Sequence, residues 1–143
     1  MSDLSAIRDG FATVVGAISG LRVYANEPDG AREYPCMVVE PIEAMTYQEG
    51  AGTRIETDFE MLVTLYVQKQ NSSEGWQELD KYRSPTGTES IMQKIRGDRT
   101  LNSSCDYSWL TAVEAGQRDR DDQDKFWELS CQFRCRVNKV SIS

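Results

Sequence analysis

Between Phe126 and Val137 the chain reads F-W-E-L-S-C-Q-F-R-C-R-V. Trp127, Leu129, Cys131, Phe133, Cys135 and Val137 alternate with Glu128, Ser130, Gln132, Arg134 and Arg136, the two-residue period of a strand with one face in a core and the other in water. A helix would scatter those apolar residues around its axis, so the segment commits the fold to a sheet. Upstream, Ile55, Thr57, Phe59, Met61, Val63, Leu65 and Val67 alternate in the same way with Glu56, Asp58, Glu60, Leu62, Thr64, Tyr66 and Gln68. Two long amphipathic strands need one shared apolar cover. The expected fold is α+β: a single domain over residues 1–143, with a mostly antiparallel sheet of mixed-length strands covered on one face by an N-terminal helix and a middle helical segment.

The remaining elements follow from local pattern. Leu4, Ile7, Phe11, Val14, Val15 and Ile18 recur at helical spacing, with Ser2 or Asp3 as cap and Gly20 as stop; Gly10 and Gly16 weaken that helix. Leu21 to Ala25 reads as a short strand followed by an N-E-P-D-G turn. The stretch from Pro35 through C-M-V-V-E-P-I-E-A-M is an edge strand or a strand broken at Pro41, which cannot donate to a central ladder. Tyr47 to Arg54 reads as a hairpin tip. Ser72 or Ser73 caps a helix carrying Trp76, Leu79 and Tyr82, and Thr88 starts a shorter one with Ile91 and Ile95 that ends near Gly97. Leu101 to Ser104 is a loop, Tyr107 to Val113 a strand, and Gln117 to Lys125 a charged, solvated connection.

Chemistry is sparsely signalled. The four cysteines, Cys36, Cys105, Cys131 and Cys135, form no tight cluster, and a chain without histidine lacks the usual Cys/His zinc patterns and the Cys/His nucleophilic mechanism. Cys131 and Cys135 lie about 13 Å apart on a strand, too far to bridge; both read as small core residues suited to a reducing compartment. Asp119, Asp121, Asp122 and Asp124 lack the glycine and terminal glutamate of a calcium loop. Glu56, Asp58 and Glu60 share one strand face without a base to complete an acid–base pair. The expectation is a protein that is not an enzyme, with no catalytic residues, no metal and no cofactor. No secretory signal and no apolar run of membrane-spanning length is evident, so no membrane partner is expected.

Surfaces are better marked. The net charge of −7 disfavours general adhesion to nucleic acid. Arg134 and Arg136, with Lys139 extending the basic character, can pair with Glu56, Asp58 and Glu60 if the two long strands are neighbours, within the chain or between subunits. Trp127 matches the core parity of its strand. Tyr47 and Trp109 lie in no equally long pattern and are open to an interface role.

The ordered set L-R-V-Y-A-N-E-P, Y-P-C-M-V-V-E-P, L-V-T-L-Y-V, L-D-K-Y-R-S-P-T-G-T-E-S-I and F-W-E-L-S-C-Q-F-R-C-R-V resembles small tail-completion proteins of long-tailed bacteriophages, especially tail terminators and their neck relatives. It covers most of the chain and concerns motif order more than any invariant residue. The resemblance implies a structural virion protein of the tail or neck, assembled in the host cytoplasm. It implies a homo-oligomeric, commonly hexameric ring that caps the tail tube and meets the head connector. Its partners would be the major tail tube protein and a head-completion or connector protein, with DNA passing through the lumen without specific binding. The candidate subunit or tube contacts on these segments are Tyr47, Glu49, Arg54, Glu56, Asp58, Glu60, Trp109, Arg118, Asp119, Asp121, Asp122, Arg134 and Arg136. A connector or minor tail protein without terminator activity is the alternative within that class, and a small enzyme using the acidic residues the alternative outside it.

Overall fold

The computed structural model describes residues 3–30, 32–50, 52–114, 117–120 and 127–142. In chain order the elements are α1 (Asp3–Val15), β1 (Arg22–Tyr24), β2 (Cys36–Val39), β3 (Met45–Glu49), β4 (Arg54–Lys69), α2 (Ser72–Arg83), α3 (Ile91–Gly97), β5 (Tyr107–Val113), β6 (Gln117–Arg120) and β7 (Trp127–Ile142). The two segments with the strongest alternation are the two longest strands. They pair antiparallel along their whole length, from Arg54 opposite Ile142 to Lys69 opposite Trp127.

This pair is the spine of a seven-stranded sheet ordered β1-β2-β4-β7-β5. Each long strand has an outer edge longer than any one partner can fill. On β4 that edge is shared by β2, opposite Val63 to Tyr66, and β3, opposite Ile55 to Phe59. The chain between β2 and β3 carries Pro41, so the ladder breaks where the proline would otherwise have to donate. On β7 the edge is shared by β5 and β6. All pairings are antiparallel except the short β1–β2 contact.

All three helices pack on one face. Ile7, Phe11 and Val15 from α1, Leu79 and Tyr82 from α2, and Ile91 and Ile95 from α3 are buried with Phe59, Met61, Val63, Leu65 and Val67 of β4. Leu129, Cys131, Phe133, Cys135 and Val137 of β7 complete the same cluster, and Trp127 packs against its margin. Each fully buried large aliphatic or aromatic side chain contributes about 1.5–3 kcal/mol of transfer free energy. The fold class is therefore the α+β sheet with helices on one face that the alternation implies.

Several local expectations are corrected. The first helix ends at Val15, not Gly20: Gly16 still donates to Ala12, but Ile18 bonds back to Val15 and Leu21 to Ile18 in tight turns, and Gly20 sits at φ +81°. Gly10 does more than weaken α1. A Cβ there would lie 2.0 Å from the Leu101 carbonyl oxygen, so the bare backbone is what lets α1 approach the turn after α3. The cap of α2 is Asn71, whose side chain accepts from the Glu74 amide at 2.8 Å, and that of α3 is Ser90, which accepts from Gln93. Tyr47 to Glu49 is strand, not hairpin tip, and Arg54 already belongs to β4. The charged connection after β5 contains a strand, since Gln117–Arg120 pairs with Ser130–Trp127, while Asp121, Asp122 and the rest of it to Lys125 lie outside the described residues.

Candidate functional site

The side of β4 and β7 away from the helices carries no covering element among the described residues, and it gathers several of the sequence-predicted contact residues. Glu56, Asp58, Glu60, Arg134 and Arg136 all stand on it, half-buried. In register Arg136 lies opposite Glu60, yet Glu60 pairs diagonally with Arg134, at 2.6 Å from its Nη1. Arg134 also donates to Glu114 at the end of β5. Hydrogen bonds to Glu114 and then to Glu60 push the already high pKa of Arg134 further up. Asn138 donates one Nδ2 group to both Glu56 (2.9 Å) and Asp58 (3.0 Å). Glu40 accepts from Thr64 and from Gln132, each at 3.1 Å. At the far end Tyr34 donates to Glu128, and desolvation followed by that bond lifts its phenol well above the usual range. Arg32 lies over the Tyr66 ring at 4.1 Å.

The face is thus an acidic surface held rigid by its own partners. Most of its carboxylates already accept hydrogen bonds from side chains on neighbouring strands. An amide bridges Glu56 and Asp58, which is an arrangement for fixing two acids in place and not for moving a proton between them. Arg54 closes the end of the face, 3.9 Å from Glu56. Lys139 does not extend it: its register opposite Thr57 gives it the other parity, and it lines a small groove with Asp3, Met45 and Tyr47 beside the start of α1.

A second surface lies along β5. A groove of about 500 Å³ is lined by Met92, Ile95, Arg96 and Arg99 from α3 and the turn after it, and by Tyr107, Trp109 and Leu110 from the strand. The exposed large hydrophobics among the described residues are Tyr47, Met92, Tyr107 and Trp109, and all but Tyr47 line this groove. The turn that shapes it has Leu101, Asn102 and Ser103 at positive φ, fastened by Asp98, which accepts from Thr100 and from the Asn102 amide. Those bonds, with the Thr100 side chain first, lower the pKa of Asp98. Arg99 leaves the turn to donate to the Ser108 carbonyl at 3.2 Å and lies 5.1 Å from the centre of the Tyr107 ring, which in turn leans against Trp109 at 5.6 Å. β5 ends the sheet, so its outer edge pairs with no strand among the described residues.

The other predicted residues are dispersed. Tyr47 and Glu49 stand exposed on β3, on the opposite side of the sheet from Trp109. Arg118 and Asp119 stand on β6, opposite Leu129 and Glu128. Glu40, Glu114, Asn138, Met92, Arg96, Arg99 and Tyr107 escaped the sequence reading. For Tyr107, two residues before Trp109 on the same strand and so on the same face, parity alone was a usable signal.

All four thiols are buried and free. Burial pushes Cys36 and Cys105 up to about 11, and Cys131 and Cys135 up to about 12, so none is a thiolate near neutral pH. Among the described residues no three Cys, Asp or Glu side chains converge to hold a metal ion, and no helix is long and apolar enough to cross a membrane.

No family model matches the sequence, and no curated protein matches it. Among solved structures, a chain from the "Virion of native gene transfer agent (GTA) particle" aligns with 94% of this chain and 93% of its own length, at 11% identity and a TM-score of 0.39.

Proposed function

We propose that this protein is a non-enzymatic structural subunit that assembles as a ring, hexameric by its resemblance to tail terminators, to cap the end of a bacteriophage tail tube and meet the head connector. The observation that carries the reading is the uncovered face of the β4–β7 pair. It is acidic in balance, with Glu40, Glu56, Asp58, Glu60, Glu114 and Glu128 set against Arg32, Arg54, Arg134 and Arg136, and its charges are tied to one another. A wall of that kind facing a lumen repels phosphates and offers few free cations, so DNA passes without being held. The order of sequence motifs supplies the tail context, and the free edges of β3 and β5 supply places for neighbours to dock.

The test is a tube-length assay. Tail tubes polymerised without this protein should run overlong, and adding it back should stop them at a defined length. Tubes of normal length that fail to join heads would replace termination by a connector role. Tubes unaffected in both length and joining would remove the reading altogether.

A further inference from the structure

Two of the sheet edges left unpaired among the described residues, those of β3 and β5, differ in charge and shape in a complementary way. The segment 40–50 that contains β3 carries Glu40, Glu43 and Glu49 and no basic residue. Glu43 and Glu49 are exposed and take part in no ion pair among the described residues, and Tyr47, 66% exposed, stands between them. The β5 edge is flanked instead by Arg96 and Arg99, and Arg96 is likewise exposed and without an ion pair among the described residues. Beside it the groove presents Met92, Tyr107 and Trp109, an apolar recess next to guanidinium groups.

From this we infer that β3 of one copy docks along β5 of the next, with Tyr47 seated in the Met92–Tyr107–Trp109 groove and Glu43 and Glu49 facing Arg96 and the adjacent Arg99. The inference rests on the ring reading and names its subunit contact. A second copy is the occupant the chemistry favours, because the same chain carries both halves: one exposed aromatic and unpaired acids on one edge, an aromatic recess beside an unpaired arginine on the other. An aromatic side chain in a desolvated recess is the usual anchor of such a contact, and the charges fix its orientation. β3 and β5 lie on opposite sides of the β4–β7 spine, so the contact is head-to-tail. Each added copy leaves one β3 edge and one β5 edge free, and the series ends only when the ring closes. Closure also covers these two edges, which are otherwise open to indiscriminate pairing.

The experiment uses the full chain. Thr46→Cys and Thr111→Cys proteins, each altered at an exposed strand position, are mixed and treated with a short bismaleimide, and mass is followed by light scattering over a concentration series. The buried native thiols leave the wild-type protein as an unreactive control. A cross-linked dimer that forms in the mixture, and in neither protein alone, is the expected result. Arg96→Glu and Glu49→Arg should each raise the concentration for assembly about tenfold, and the two changes together in one chain should restore much of it. Tyr47→Ala should weaken assembly without changing the monomer's melting temperature. An oligomer that forms without the mixed cross-link and is indifferent to all three substitutions overturns this contact and leaves the ring reading standing. A monomer at every concentration overturns the contact as an intrinsic one, and the ring reading is then decided by the tube-length assay.

Discussion

The two faces of the β4–β7 pair are made of alternate residues of the same strands, yet they differ in what holds them. On the helix side Phe59, Met61, Val63, Leu65, Leu129, Phe133 and Val137 are buried at 2% exposure or less, and they interact through close packing that no single partner dominates. On the other side Glu56, Asp58, Glu60, Arg134 and Asn138 are half-buried and interact through a few directed hydrogen bonds. Packing against three helices gives the first face most of the folding free energy. The second gains little, because charge pairs at a wet surface exchange one set of hydrogen bonds for another. Stability and surface identity are therefore separable along one pair of strands, and substitutions can be chosen to break that separation.

The largest effect is expected at Phe133, which is 1% exposed in the centre of the packed face. Phe133→Ala should cost about 3–5 kcal/mol in urea unfolding, since the transfer loss is joined by a cavity the surrounding helices cannot fill. A loss below about 1 kcal/mol would mean that the helix layer is not the main source of stability. A comparable effect should come from base. The Cys131 and Cys135 thiols are held protonated up to about 12 in the fold, whereas unfolded thiols ionise near 8.5–9. Above that range the unfolded chain has lost protons that the folded chain still binds, so stability falls as pH rises. The fall should be about 1.4 kcal/mol per pH unit for each such thiol, and stability should be insensitive to these groups below pH 8. Melting temperatures of the wild type and of Cys135→Ala from pH 8 to 10.5 measure the slope, and equal slopes would refute the assignment to Cys135. Next comes Gly10→Ala, where helix propensity alone predicts a gain of about 1 kcal/mol. The clash with the Leu101 carbonyl should turn that into a net loss of about 1–3 kcal/mol.

The same contrast explains what could be read from the sequence. The packed face was legible because apolar alternation over β4 and β7 is a local signal that needs no knowledge of partners. β3 was missed beyond its start because M-T-Y-Q-E is exposed along nearly its whole length and shows no apolar period. β6 was missed because Q-R-D-R reads as a solvated run; its strand state is imposed by the β7 edge beside it. On the bare face the residue types were visible but their partners were not. Glu40 meets Gln132 across 92 residues and Asn138 meets Glu56 across 82, distances fixed only by register. The β5 groove was invisible for a related reason: Arg96 and Arg99 look like ordinary helix-end cations until the left-handed turn at Leu101–Ser103 brings the strand back beside them.

The bare face supplies the smaller effects. Asn138→Ala removes the amide that two carboxylates share and should cost about 1 kcal/mol, the net worth of an ordinary hydrogen-bonded group at a partly wet site. Leu62 offers the sharpest comparison of all. It is an apolar residue between Glu60 and Thr64, opposite Arg134, on the side away from the helices, and only half-buried. Leu62→Gln should change monomer stability by no more than about 0.5 kcal/mol in urea unfolding, because water already reaches the site. If the change instead approaches that of Phe133→Ala, the bare face is packed in the folded monomer and the division between faces fails. If monomer stability holds while the concentration for assembly rises, the face belongs to a contact between subunits and not to an open lumen wall. A substitution silent in both measurements fits a wall that faces water, which is what a passage for DNA requires.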